Sequence, residues 1–219
     1  MPSKAQDPLD SATMSPSNVR MRHAIVDLPR TFRSRDGVPL ISRVDTRIFR
    51  LTYFTHCLQC GFCNDQCCDH GVDVDLARVR RIGRVAGDLE SFCGIPRARW
   101  FTTRVELDDE LPGGGSVRTR VRSGACVFLD RDKRGCFLHA FAVEAGVDYH
   151  DIKSLVDCLF PLTFADHTLL PADEVIDGTL ICAGTGPTLY RGLRGELAHY
   201  FGTEFVTVLD GLESGGPRV

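Results

Sequence analysis

The sequence predicts a single irregular α+β domain with metal-binding cysteine loops, short strands and several short helices. Three observations predict it. Short runs of strand character and short runs of helical spacing follow one another without a regular βαβ alternation. Five cysteines crowd the segment 57–68, and no internal repeat is present. Of 219 residues, 43% are hydrophobic, which is enough to bury a core without disulfide staples. The expected organisation is a disordered lead over residues 1–19, one cysteine-cluster metal-binding domain over 20–212, and a flexible tail over 213–219.

Along the chain, residues 21–28 read as a strand stopped by Pro29, and residues 47–55 as a second strand entering the cysteine segment. Residues 74–89 place Val74, Leu76, Val79, Ile82, Val85 and Leu89 at helical spacing, with Asp73 or Asp75 as N-cap. Residues 108–116 are a loop, the tip of a hairpin between 100–107 and 117–121. A helix follows over 136–145, closed by Gly146. Residues 159–170 are an apolar run broken by Pro161, and 175–181 read as a strand. A helix starting at Pro187 and ending near Tyr200, and another over 203–212, complete the domain.

The net charge of −3 gives no basic footprint, so nucleic acid is not an expected partner. The arginines at 78, 80, 81 and 84, and those at 118, 120 and 122, read as solvated faces. The N-terminus has no charged-then-apolar signal pattern. No apolar stretch approaches the roughly 20 residues of a membrane span, so a cytoplasmic protein is expected. In a reducing compartment ten cysteines point to metal rather than to disulfides.

Cys57, Cys60, Cys63, Cys67 and Cys68 spell C-x2-C-x2-C-x3-C followed by one more Cys. A C-x2-C turn lets two thiolates converge on one ion, and coordination keeps them deprotonated at neutral pH. The first four positions have the spacing of bacterial ferredoxin cluster loops, with Cys68 where those carry proline. Zinc needs only four such ligands, so both metals stay open. Cys126, Cys136, Cys158 and Cys182 sit in apolar or turn segments and are further candidate ligands; Cys93 reads as an ordinary buried cysteine.

These residues, in this order, carry a resemblance. The 57–68 block, C-V-F-L-D at Cys126, G-C-F-L at Cys136, C-L-F-P at Cys158 and C-A-G-x-G at Cys182 resemble the YkgJ-like cysteine-cluster proteins, zinc- or iron-chelating domains with a CxxCxxCC signature. The resemblance spans roughly residues 57–186. The loop here is closer to a related group with C-x3-CC-x2-G, matched by Cys63, Cys67, Cys68 and Gly71. An arginine that the family carries beside the Cys158 position is absent, and Ala183 replaces the usual proline after Cys182. One branch resembles flagellin lysine N-methylases with an iron–sulfur cluster. That implies a modification enzyme, although no methyl-donor pocket can be read from these residues.

Two readings follow: an iron–sulfur protein for electron transfer or as cofactor domain of a modification enzyme, and a structural zinc module scaffolding a protein-interaction surface. Either implies a protein or redox partner. His56, His70, His139 and His150 lie near the cysteines, and His139 has ligand-compatible spacing from Cys136. Asp69 is a candidate outer hydrogen-bond acceptor. Gly184 and Gly186 read as a plain turn. Cys60→Ser separates the two readings: it bleaches an iron–sulfur protein while leaving a folded chain, and it unfolds a zinc module, as circular dichroism and visible absorption would report.

Overall fold

The structure, a computed structural model, describes residues 24–55, 62–63 and 65–215. The expected lead over 1–19 and residues 216–219 of the expected tail lie outside them.

Strand β1 (Ile25–Arg33) pairs antiparallel with β2 (Leu40–Asp45). β1 runs through Pro29 rather than stopping there. It is the outer strand of its sheet and shifts register between Asp27 and Phe32, so an absent N–H is tolerated at that point. The strand expected over 47–55 is reduced to β3 (Thr52–Tyr53). Asp45 intervenes: its carboxylate accepts from the Arg47 N–H at 2.9 Å and starts a 3-10 turn over Thr46–Phe49.

Beyond the cysteine segment, β4 (Asp73–Asp75) leads into α1 (Leu76–Arg84) and α2 (Ala86–Cys93). Asp75 is the N-cap, as expected, but the single helix expected over 74–89 breaks at Val85, between Gly83 and Gly87. The hairpin β5 (Phe101–Leu107) and β6 (Gly115–Thr119) forms around the expected loop, and β6 also pairs with β4. A short hairpin, β7 (Val121–Arg122) and β8 (Ala125–Cys126), precedes α3 (Phe137–Ala145), which Gly146 closes in a left-handed conformation.

Helix α4 (Leu155–Leu159) and the hairpin β9 (Leu162–Ala165) and β10 (Thr168–Pro171) occupy the apolar run 159–170 and the residues before it. β10 pairs parallel with β2, giving a four-stranded sheet in the order β1-β2-β10-β9. Residues 175–181 are not a strand. The Ala172 carbonyl accepts from Val175 and Ile176, starting α5 (Asp173–Ile176), and Gly178 at φ +64° turns the chain away. β11 (Ala183–Thr188) pairs with β3 and contains Pro187, so α6 (Leu189–Phe201) starts after the Thr188 cap. α7 (Thr203–Glu213) follows.

The buried residues form two cores. The larger packs the four-stranded sheet against α4, α6 and α7, through Ile41, Leu159, Leu197 and Phe205 among others. The smaller gathers α1, α2 and α3 around Trp100 and Phe128. Tyr149 packs against both.

α6 and α7 are pinned by Asp210, which accepts from Tyr190 Oη at 2.7 Å and from Arg194 Nη2 at 2.6 Å. These hydrogen bonds, Arg194 first, hold its carboxyl down at about 2. An unfolded aspartate titrates near ~3.9, so this contribution is complete above that pH and is lost as pH falls toward the folded value. Asp210→Asn is expected to lower the stability at pH 7, and the difference from the parent should shrink as the pH is taken down through 4 to 2 in urea titrations.

Candidate metal centre

Asp65, in the left-handed conformation at φ 59°, starts a 3-10 turn over Gln66–Cys68. The Cys68 N–H donates to the Asp65 carbonyl at 2.7 Å, and the Gln66 N–H to the Cys63 carbonyl at 3.1 Å. This turn carries the adjacent thiols of Cys67 and Cys68. Gly71 then lets the chain run against β6, where the Val72 N–H donates to Thr119 Oγ1 at 2.8 Å.

The same threonine receives the second segment. Cys126, at the end of β8, donates its thiol to Thr119 Oγ1 at 3.3 Å. An isolated bridge between Leu129 and Cys136 then closes a loop, and Cys136 becomes the N-cap of α3. Its sulfur sits at the helix end where negative charge is favoured. A cavity of about 40 Å³ results, lined chiefly by Cys67, Cys68, Cys126, Cys136, Phe128 and Asp157.

Two charged side chains that sequence reasoning missed complete the surroundings. Lys153 Nζ lies 2.9 Å from Asp157 Oδ2, an i,i+4 pair leading into α4. Burial opposes the ammonium, but Asp157 and the thiols of Cys136 and Cys158 outweigh it and hold Lys153 above the usual lysine range. Burial also pushes Cys136 and Cys158 up to about 12, with Asp157 adding to it and Lys153 opposing it. Cys126 is raised too, mainly by burial. The signal available in the sequence was the spacing in Lys153-Ser-Leu-Val-Asp157-Cys158, a charge pair directly before a cysteine.

The nine candidate cysteines therefore divide. Cys67, Cys68, Cys126 and Cys136 share the cavity. Cys63, Cys158 and Cys182 are buried with the larger core. Arg134 Nη2 donates to Cys63 Sγ at 3.3 Å and to Asp65 at 2.8 Å, while Cys158 lies on α4. Cys57 and Cys60, with His56, lie outside the described residues. Cys93 behaves as an ordinary half-buried thiol, raised by burial and directed at the Ile95 carbonyl. Among the described residues no two cysteines are joined in a disulfide.

The other sequence candidates take structural roles. His139 packs its ring against Tyr149 at 4.6 Å. His70 is exposed, and its carbonyl accepts from Arg118. The Asp69 backbone N–H closes the 3-10 turn onto Gln66.

His150 belongs to a second cluster, with Asp148 and His199, whose ligand atoms all lie within 4.8 Å. Asp148 and His199 were not legible as site residues, because α6 brings His199 there from far along the chain. The rings of His150 and His199 stack at 3.5 Å and 15°, so their in-plane lone pairs run parallel instead of converging. His150 already meets Asp148 through Nδ1 and Glu196 through Nε2, and the Arg35 guanidinium donates to His199 Nε2. The cluster is a polar clamp between α6 and the turn at 149–151, which Arg35 joins through Asp148 and His199.

Four thiolates around one zinc ion, each about 2.3 Å away, stand roughly 3.8 Å apart. Among the described residues no three cysteine sulfurs lie mutually within 4.8 Å. Compared with known proteins, the chain matches no family model and no solved structure.

Gly71, at φ +70°, sits where a Cβ would lie 2.8 Å from Thr119 Oγ1 and 2.9 Å from its carbonyl oxygen. Gly71→Ala is therefore expected to cost about 1–3 kcal/mol, measured by chemical denaturation, by forcing apart the two cysteine segments.

Proposed function

We propose that this chain is a cysteine-cluster protein of the YkgJ-like kind that holds an iron–sulfur cluster between Cys67, Cys68, Cys126 and Cys136. Its role is electron transfer, or cofactor domain of a modification enzyme. The observation that carries the reading is the convergence of four cysteines from separate segments on one cavity. The cavity of about 40 Å³ is roughly three times what one water needs.

The donor set fits the group. Thiolates are the ordinary ligands of such clusters, and the α3 N-terminus and Lys153 supply positive charge beside Cys136. When bound, a cluster supplies one-electron chemistry. This chain's own residues hold and orient the thiolates, Thr119 by bridging the two segments and Phe128 by excluding water. Cys57, Cys60, Cys63, Cys158 and Cys182 are the remaining candidate ligands. No described helix is long and apolar enough to cross a membrane. Thiols kept reduced for ligation fit a cytoplasmic protein with a protein or redox partner.

Protein purified without oxygen is expected to be brown, with iron and acid-labile sulfide in stoichiometric amounts. Cys126→Ser should lower both and bleach the visible spectrum, whereas Cys93→Ser should leave them unchanged. Colourless protein with one zinc per chain would replace this reading with the structural module.

A further inference from the structure

β5 is the outer strand of the sheet ordered β4-β6-β5, and its free edge is not covered: Val105 is 49% and Leu107 87% exposed. An open edge of this kind is a template for another strand. The phase of its hydrogen bonds decides which residues face outward. The Asp108 N–H donates to the Gly114 carbonyl, in the same register that pairs Glu106 with Ser116, Val105 with Val117 and Leu107 with Gly115. Antiparallel pairs alternate between bonded and unbonded, so Glu106 spends its backbone groups on β6. Val105 and Leu107 aim theirs away from it.

We propose that this edge pairs with the same edge of a second copy of the chain, antiparallel, with Val105 opposite its own copy. Outward-facing residues must meet outward-facing residues, which leaves few registers. Shifting the centre from Val105 to Arg104 sets arginine against arginine, and shifting it to Glu106 sets glutamate against glutamate. Centred on Val105, Arg104 of each copy faces Glu106 of the other, twice over. These two side chains already share one face of β5, where they pair at 3.4 Å. Opposite charges directly across a strand pair stabilise it, and like charges do the reverse.

The other face supports the same register. Val74 pairs with Val117, and Val117 with Val105, forming a row across the sheet. Joining two copies continues that row through both Val105 side chains, so two three-stranded sheets become one of six strands. The register shift between Phe101 and Val105 interrupts the strand ahead of Val105, so pairing is confined to a short stretch around it. A contact this short gives a weak, concentration-dependent dimer.

The test is sedimentation of the full chain over a dilution series, with and without charge substitutions. The parent is expected to shift from monomer to dimer as concentration rises. Arg104→Glu should weaken association by ~10-fold or more, because two attractive pairs become repulsive by symmetry. Adding Glu106→Arg to that variant should restore association, since the two signs are then exchanged. Val105→Pro removes an N–H that β6 does not use, and should abolish the dimer while far-ultraviolet circular dichroism stays unchanged. A parent that remains monomeric throughout, or a double variant no better than Arg104→Glu alone, overturns the proposal.

Discussion

The guanidinium of Arg78 is buried at the seam between the two cores, 1% exposed, with Asp36 Oδ2 at 2.6 Å and Asp75 Oδ1 at 3.5 Å. Its Nε donates to the His150 carbonyl, and its charge lies over the Tyr200 ring. Arg81 reaches the same Asp36 and continues to Asp151. One side chain on α1 therefore touches the β1–β2 loop, the turn after α3, and α6. Asp75 does as much from the other side, capping α1 and accepting from the Leu155 N–H at the start of α4. Buried ions of this kind add little over well-packed apolar groups, but removing one partner typically costs about 3–5 kcal/mol, because the other charge stays buried. The network stabilises one mutual placement of the two cores more than it stabilises either core.

That placement puts the cysteines together. Cys126 and Cys136 pack with the smaller core and Cys158 with the larger, and α4 carries Asp157 and Cys158 across the boundary. Ser154, just ahead of α4, donates to the Asp73 carbonyl, so the helix is tied to β4 directly after the Cys67–Cys68 turn. Lys153 and the α3 N-terminus both bring positive charge to Cys136. The thiols are packed in apolar surroundings that favour the protonated form, and their ionisation depends on a cation at hand.

Much of this was legible in the sequence and some was not, for identifiable reasons. Helix α3 with its Gly146 stop, helix α7, the β5–β6 hairpin and the Asp75 cap were legible because each depends on residues within a few positions. Strand β2 was passed over although it pairs with the neighbouring β1, and β3 was read as longer than it is because its partner, β11, lies more than a hundred residues away. The error at 175–181 arose because Val175, Ile176 and Ile181 carry strand propensity, while Ala172 and Gly178 set a turn. At the candidate centre the cysteines were legible by type and order. Their division between a shared cavity and a buried core was not, because it follows from how the two cores meet. Lys153, Asp157 and Thr119 escaped notice for the same reason.

The cavity is closed by two stretches of chain that the sequence keeps well apart, the turn at Cys67–Cys68 and the loop from Cys126 to Cys136. A guest bonded to both acts as a cross-link, and cross-links act on the unfolded chain as much as on the folded one. Tying off a loop between about 15 and 100 residues long removes on the order of 3–5 kcal/mol of chain entropy from the unfolded ensemble. On the proposed reading, heat resistance would measure how fully the cysteines are loaded.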